Sequence, residues 1–363
     1  MRRKLPFQYT GARGIRARKG YAPKIAKRGG KGQNCQGLVK KSGRDRRFFQ
    51  KAVGQGKFFP SRPCARLRNL GKYAIIQLSR KVGKGMQKFL TDVHTHSTYS
   101  FDGKSSLADM LKTALGKGLA FYGVSEHFDY DVHLTTGAEC MTDAEEYFHG
   151  ARHLQEDYEG CLNVLVGAEF GYSDDEKVRA FNLRIQEKYR PDFIVNSVHA
   201  LHGIDYYHLH PFYTVNEQGE KVLREKKEVY GEYLGLVRRS LDVPYSYDII
   251  GHFGYLTRYA PYEDKRLTCA EFSAQIDDIF KAIIQKGKIL ELNTSRSNGI
   301  FLPSRELLER YYALGGRLIS YGSDAHAVGS VANGREIAMA MLKEIGFTHI
   351  TVPCKGEYIK VEI

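Results

Sequence analysis

Nine His, Asp and Glu side chains stand at one kind of place in this chain, at or just after the ends of short apolar runs. The first run ends D-V-H-T-H-S and supplies His94 and His96. Residues two apart on an extended strand point to the same face, so these two imidazoles can grip one ion. Asp102 follows in the loop beyond. Later runs end V-S-E-H, G-A-E-F, N-S-V-H, I-G-H-F and G-S-D-A-H. They place His127, Glu169, His199, His252 and, again two apart, Asp324 with His326.

Any one of these histidines is readily explained as a hydrogen-bonded core or surface residue. The set is not, because six His and three carboxylates fall at the ends of six different runs. Imidazole and carboxylate together suit zinc, manganese or iron. Nine ligands exceed what a single ion uses, and three divalent ions sharing bridging groups would employ them all. His149 and His153, at i and i+4 of a helical stretch, read as a solvated face. His133, His202, His208 and His210 fall in loops, from which His202 and His208 could reach a substrate.

The runs that carry these residues alternate with amphipathic segments, the pattern of an α/β domain. Strands are expected over 89–94, 121–125, 162–167, 193–197, 248–251, 289–292 and 318–320. Between them, Ser106 and Asp109 form a capping box ahead of Leu107, Met110, Leu111, Ala114 and Leu115 at helical spacing. Asp143 and Glu146 open a second helix, Phe272 to Ile284 marks a third, and Ser304 caps a fourth. Seven β/α units predict a closed parallel barrel slightly smaller than the usual eight, with its chemistry at the C-terminal strand ends. That is where the nine residues fall.

Charge divides the chain. Of 55 Lys and Arg and 41 Asp and Glu, 25 basic residues and one acid, Asp45, lie within residues 1–85, giving about +24 there and −10 from Met86 onward. The first segment lacks the apolar periodicity needed to build a core. The expected organisation is therefore a basic, disordered or non-native extension over 1–85 and a catalytic domain over 86–363. Three readings of the extension stand open: a tail that binds nucleic acid through phosphate contacts, a targeting segment, or an upstream stretch foreign to the natural protein. No run approaches the ~20 apolar residues of a membrane span. The six cysteines show no C-x-x-C spacing, which points to free thiols in a reducing cytoplasm rather than to a disulfide framework or zinc ribbon.

The ordered set H-T-H at 94–96, Asp102, S-E-H at 125–127, G-A-E at 167–169, S-V-H at 197–199, G-H-F at 251–253 and S-D-A-H at 323–326 resembles the polymerase and histidinol phosphatase (PHP) family. The resemblance covers nearly all of residues 87–363. The run GHFGYLTRYAPY is most similar to the monofunctional histidinol-phosphatases of that family. It implies a distorted seven-stranded, TIM-like (β/α)7 barrel with a trinuclear site. Carried over position by position, His94, His96, Glu169 and Asp324 would hold the first ion. Glu169 would bridge to a second held by His199 and His252, and Asp102, His127 and His326 would hold a third. Gly254 departs from the family pattern, in which an acidic residue is expected.

The activity implied is hydrolysis of a small phosphomonoester, L-histidinol phosphate, to L-histidinol and phosphate in histidine biosynthesis, in the cytoplasm. Glu169, Asp324 and His326 are expected to serve catalysis. A phosphate monoester resists attack because its charged oxygens repel a nucleophile, and closely spaced divalent ions relieve that. Phosphate recognition also favours the planar fork of Arg. Arg258 and Arg296 each follow a strand end, and with His202 they are the candidate substrate contacts. Two alternatives are kept: another phosphoesterase of the family acting on nucleotides or DNA 3′ ends, and a nucleic-acid-binding protein acting through the basic tail.

Overall fold

The computed structural model describes residues 90–133, 139–295 and 301–363. The expected extension over 1–85 and the candidate Arg296 lie outside the described residues. Seven parallel strands alternate with helices in chain order: β1 (Leu90–Asp92), α1 (Leu107–Gly116), β2 (Leu119–His133), α2 (Ala144–Asp157), β3 (Asn163–Gly171), α3 (Glu176–Tyr189), β4 (Ile194–Ser197), α4 (Lys226–Ser240), β5 (Ile249–Ile250), α5 (Cys269–Gln285), β6 (Ile289–Asn293), α6 (Arg305–Ala313), β7 (Ile319–Gly322) and α7 (Arg335–Ile345). Each strand pairs in parallel with the next. The ring closes where the chain beyond β1 meets the chain beyond β7, through a parallel bridge between Thr95 and Ala325. There Asp324 N donates to His94 O at 2.8 Å and His96 N to Ala325 O at 2.8 Å. This is the seven-stranded barrel expected from the sequence.

Local chemistry accounts for the elements. Ser106 accepts from Asp109 N and caps α1, and Asp143 accepts from Glu146 N to cap α2. Ser304 occupies the N-cap of α6 but makes no capping hydrogen bond, unlike the expectation. Strands β3 to β7 are buried along almost their whole length, as parallel strands covered on both faces must be. The buried Tyr147 of α2 donates to Gly167 O at 2.7 Å, pinning that helix onto β3. Cys269 and Cys354 are free thiols, whereas Cys161 is disulfide-bonded, so the free-thiol expectation does not hold throughout. Among the described residues no helix is long and apolar enough to cross a membrane.

Strand β2 is longer than expected. It continues past Ser125 to His133, and the short strand Glu139–Met141 pairs back onto it in antiparallel fashion. After β4, the two-residue strands Ala200–Leu201 and Ile204–Asp205 form a tight hairpin. A further hairpin, His349–Cys354 with Glu357–Glu362, ends the chain.

Candidate metal centre

All nine residues singled out above come together at the C-terminal end of the barrel. Strand register sets the first neighbours: His127 on β2 stands opposite Glu169 on β3, and its Nδ1 lies 3.0 Å from Glu169 Oε2. The segment after β1 brings His94 and His96 alongside, their Nε2 atoms 3.1 Å apart. Glu169 Oε2 lies 3.3 Å from His94 Nε2 and 3.5 Å from His96 Nε2. Asp324 Oδ1 lies 3.3 Å from His96 Nε2. On the other side, Glu169 Oε1 is 3.1 Å from His199 Nε2 and 2.8 Å from His252 Nε2, and those two nitrogens are 3.2 Å apart. Asp102 reaches across from its loop, with Oδ2 3.0 Å from His326 Nε2 and Oδ1 3.8 Å from His127 Nε2. The ring of His96 packs against those of His127 and His326 at 4.2 and 4.3 Å, and these two lie 5.8 Å apart.

Buried side chains fix which nitrogen of each ring faces inward. His94 Nδ1 donates to Glu291 Oε1 at 2.6 Å, and His199 Nδ1 donates to Asp129 Oδ1 at 2.8 Å. His326 Nδ1 donates to Asp324 O at 2.9 Å. Each of these rings therefore turns an Nε2 lone pair toward the centre. Glu126 accepts from Ser97 N at 3.0 Å and from the Ser97 and Ser100 hydroxyls at 2.5 Å, which shapes the loop carrying His96. The same fold forces two candidate ligands into left-handed backbone, His252 at φ 22° and Asp324 at φ 51°. Such conformations cost on the order of 1–3 kcal/mol each. They are held by a hydrogen bond from His252 N to Glu291 Oε2 at 2.6 Å and by the Asp324–His94 backbone bond.

The electrostatics match a cation site. Burial alone would raise the carboxyl pKa of Glu169, but His94, His199 and His127 hold it well below the usual range. Asp324 is likewise held down against its burial, chiefly by His94 and His96. Burial, followed by the neighbouring His127 and His326, pushes His96 down to about 3, leaving its lone pair free at neutral pH. Among the described residues His252 Nδ1 is buried without a hydrogen-bond partner, whereas Glu169 Oε2 and His127 Nδ1 face each other, and His326 Nε2 faces Asp102 Oδ2, at 3.0 Å as ion pairs. Ring nitrogens facing one another at 3.1–3.2 Å must share either a proton or a metal cation. Two nitrogens bound at about 2.0–2.1 Å to one tetrahedral ion sit roughly 3.3 Å apart. Four sets of donors are close enough to hold an ion: His94 with His96 and Asp324, His94 with Glu169 and His252, His127 with Glu169 and His199, and His96 with His127 and His326.

Of the candidate substrate contacts, Arg258 lies at the cluster. One terminal nitrogen is 3.5 Å from Asp324 Oδ2 and the other donates to Asn293 Oδ1 at 2.6 Å. His202 is exposed in the tight turn after Leu201, with φ 52°, and is not among the groups brought together. His149 and His153 are exposed on α2, away from the cluster's donor sets. Gly254 has φ 98°, a backbone conformation that disfavours the acidic residue expected there. The sequence reading missed Glu291, Asp129 and Glu126. Glu291 is a lone carboxylate inside an apolar strand, Glu126 and Asp129 flank His127 on β2, and a buried carboxylate must find partners.

Known proteins carry the same organisation. The chain is 28% identical over 255 residues to the "Probable histidinol-phosphatase" of Clostridium acetobutylicum, covering 69% of this chain and 91% of that protein. It is 28% identical over 261 residues to the "Histidinol-phosphatase" of Lactococcus lactis subsp. lactis, covering 70% and 91%. The crystal structure of histidinol phosphate phosphatase from Lactococcus lactis subsp. lactis, complexed with zinc, L-histidinol and phosphate, superposes with a TM-score of 0.64 at 25% identity, over 75% of this chain and 99% of that one. Residues 92–295, more than half of the chain and most of the barrel, match the PHP domain, and this chain belongs to that family.

Proposed function

We propose that the chain is a metal-dependent phosphomonoesterase that hydrolyses L-histidinol phosphate to L-histidinol and phosphate. The observation that carries this reading is the convergence of six imidazoles and three carboxylates at one barrel end, with donor sets close enough to hold ions. The histidinol-phosphatase relatives, matched over about nine-tenths of their length, and the relative solved with L-histidinol and phosphate supply the substrate.

His94, His96, Glu169 and Asp324 would hold one ion. Glu169, His199 and His252 would hold a second, and Asp102, His127 and His326 a third. Zinc fits this donor set, as do manganese and iron. Ions bound there would lower the pKa of water and neutralise charge on phosphoryl oxygens. The chain's own contribution is placement. Glu291 and Asp129 fix the imidazoles, and Glu169 offers one oxygen to each side of the cluster. Arg258 presents two N–H groups beside Asp324 where phosphate oxygens would arrive. Residues 86–363 form the catalytic domain in this reading, and a cytoplasmic location accords with a biosynthetic substrate.

A phosphate-release screen on metal-loaded protein, with histidinol phosphate among many monoesters, tests the reading. Histidinol phosphate should give the highest kcat/KM. A clear preference for a nucleotide or a DNA 3′-phosphate would move the chain to another branch of phosphoesterase chemistry, the reading to which the basic segment 1–85 would then belong.

A further inference from the structure

The hairpin that leaves His199 ends in a carboxylate with spare bonding capacity. Asp205 Oδ1 accepts from Tyr207 N at 2.7 Å, a capping bond for the short turn that follows. Among the described residues its two oxygens otherwise receive only the Tyr255 hydroxyl, at 3.3 and 3.4 Å. Those bonds are long, and an ionised carboxylate has about four lone-pair sites. Among the described residues Asp205 forms no ion pair with Lys or Arg.

The position of Tyr255 ties this carboxylate to the metal centre. Its ring lies 5.2 Å from that of His199 and 5.0 Å from that of His252, two of the candidate ligands. Asp205 is thus one tyrosine away from the cluster and feels the charge of both His199 and Asp129. Tyr259 packs on Tyr255 at 5.2 Å, and Tyr207 packs on Tyr259 at 5.5 Å. A largely buried anion therefore lies behind Tyr255, with the rings of Tyr259 and Tyr207 beyond it, and opposite in charge to the Arg258 guanidinium that packs on the same Tyr255 ring at 5.7 Å.

That pairing has a chemical reading, and it rests on the substrate proposed above. Histidinol phosphate carries a phosphate at one end, an imidazole at the other and an ammonium between them. Its ammonium is borne two carbons from the ester oxygen, and its imidazole is one carbon further out. With phosphate on the metals, both lie within about one ring's length of the cluster. Aromatic faces attract such cations, and hydrogen bonds to a charged partner are the strong ones.

We propose that Asp205 is the specificity residue of this enzyme, accepting a hydrogen bond from the cationic nitrogen of the substrate, with Tyr255 and Tyr259 as the wall beside it. A phosphomonoester without such a nitrogen gains nothing from it.

The test compares the full-length, metal-loaded wild type with Asp205→Asn, which keeps the capping acceptor and the shape while removing the charge. The substrates are histidinol phosphate, 2-aminoethyl phosphate and glycerol phosphate, the second carrying an ammonium without imidazole. The ratio of kcat/KM for histidinol phosphate over glycerol phosphate should fall roughly 10–100-fold, the range of a charge-assisted hydrogen bond. Inhibition by L-histidinol should weaken in parallel. A matching fall for 2-aminoethyl phosphate assigns the contact to the ammonium, and a fall confined to histidinol phosphate assigns it to the imidazole. Equal losses on all substrates, or none, overturn the proposal. If the wild type itself does not favour histidinol phosphate, the substrate reading fails separately. In that case an unchanged ratio of 2-aminoethyl to glycerol phosphate in Asp205→Asn would also sink the role of Asp205.

Discussion

His94 Nδ1 and Glu291 Oε1 lie 2.6 Å apart although β7 runs between the strands that carry them, and Gly322 of β7 is what lets them meet. A Cβ at Gly322 would overlap the Glu291 carboxylate and would stand 2.6 Å from His94 Cβ. The same arrangement recurs around the barrel. A Cβ at Gly171 would overlap Asp129, the partner of His199, and one at Gly251 would overlap Ser197 Oγ, which donates to Glu169 at 2.6 Å. Missing side chains on neighbouring strands make room for the groups that orient the ligands.

Glu291→Gln should therefore weaken metal binding without unfolding the barrel. Glu291 holds His94 by its ring and His252 by its backbone N–H, so two sets of donors lose their orientation. Loss of such a supporting carboxylate typically costs roughly 10–100-fold in metal affinity or activity. Chelator competition on the purified variant measures the change directly. Wild-type metal retention would show that Glu291 is only a buried acid with convenient partners.

Protein purified without chelator should contain about three transition-metal ions per chain, and chelation should abolish phosphate release. His94→Ala or Asp324→Ala should abolish turnover while circular dichroism stays near wild type, since each lies in the shared set with His96. Replacing His149, exposed on α2, should leave turnover intact. Full activity of metal-free protein would remove the ions from the mechanism.

Arg258→Ala should raise KM for any phosphomonoester, by roughly 10–100-fold if one charge-assisted contact is lost. The guanidinium sits between Asp324 and Asn293, so the rise in KM should appear with histidinol phosphate and glycerol phosphate alike. That uniformity separates it from Asp205→Asn, whose effect depends on the nitrogen. Kinetics unchanged from wild type would make Arg258 a structural partner of Asn293 alone.

The ligands are legible in the sequence because His and carboxylate residues recur at the ends of apolar runs, strand after strand, where a core or a solvated surface has no need of them. The groups that orient them are harder to read. Asp129 lies two residues beyond His127 and so on its face of the strand, but the apolar pattern predicts an end at Ser125 while β2 continues to His133. Glu291 stands inside I-L-E-L-N, a run whose apolar character outweighs its one carboxylate. Asp205 belongs to a hairpin of two-residue strands, too short for any periodicity. The Ser304 cap shows the converse: the right residue at the right position, without the bond. Glycines such as Gly322 are visible in sequence, but the side chain each makes room for sits on another strand and emerges only from register.

Residues 1–85 should be dispensable for catalysis. Every proposed ligand follows Met86, and the first described strand begins at Leu90. Within residues 90–363, β1 finds its neighbours in β2 and in the segment after β7, so the ring closes on described residues alone. The charge step argues the same way: with about +24 in residues 1–85 and −10 after, the extension contributes charge rather than apolar surface. A protein starting at Met86 should keep kcat and melting temperature close to those of the full chain. It should also lose any salt-sensitive association with nucleic acid, because binding through phosphate contacts falls steeply as salt rises. One phosphatase assay, one thermal melt and one salt titration with DNA, run on both forms, make the comparison. A truncated form that fails to fold or loses most activity would place part of the extension in the catalytic domain, and the boundary at residue 86 would have to move toward the N-terminus.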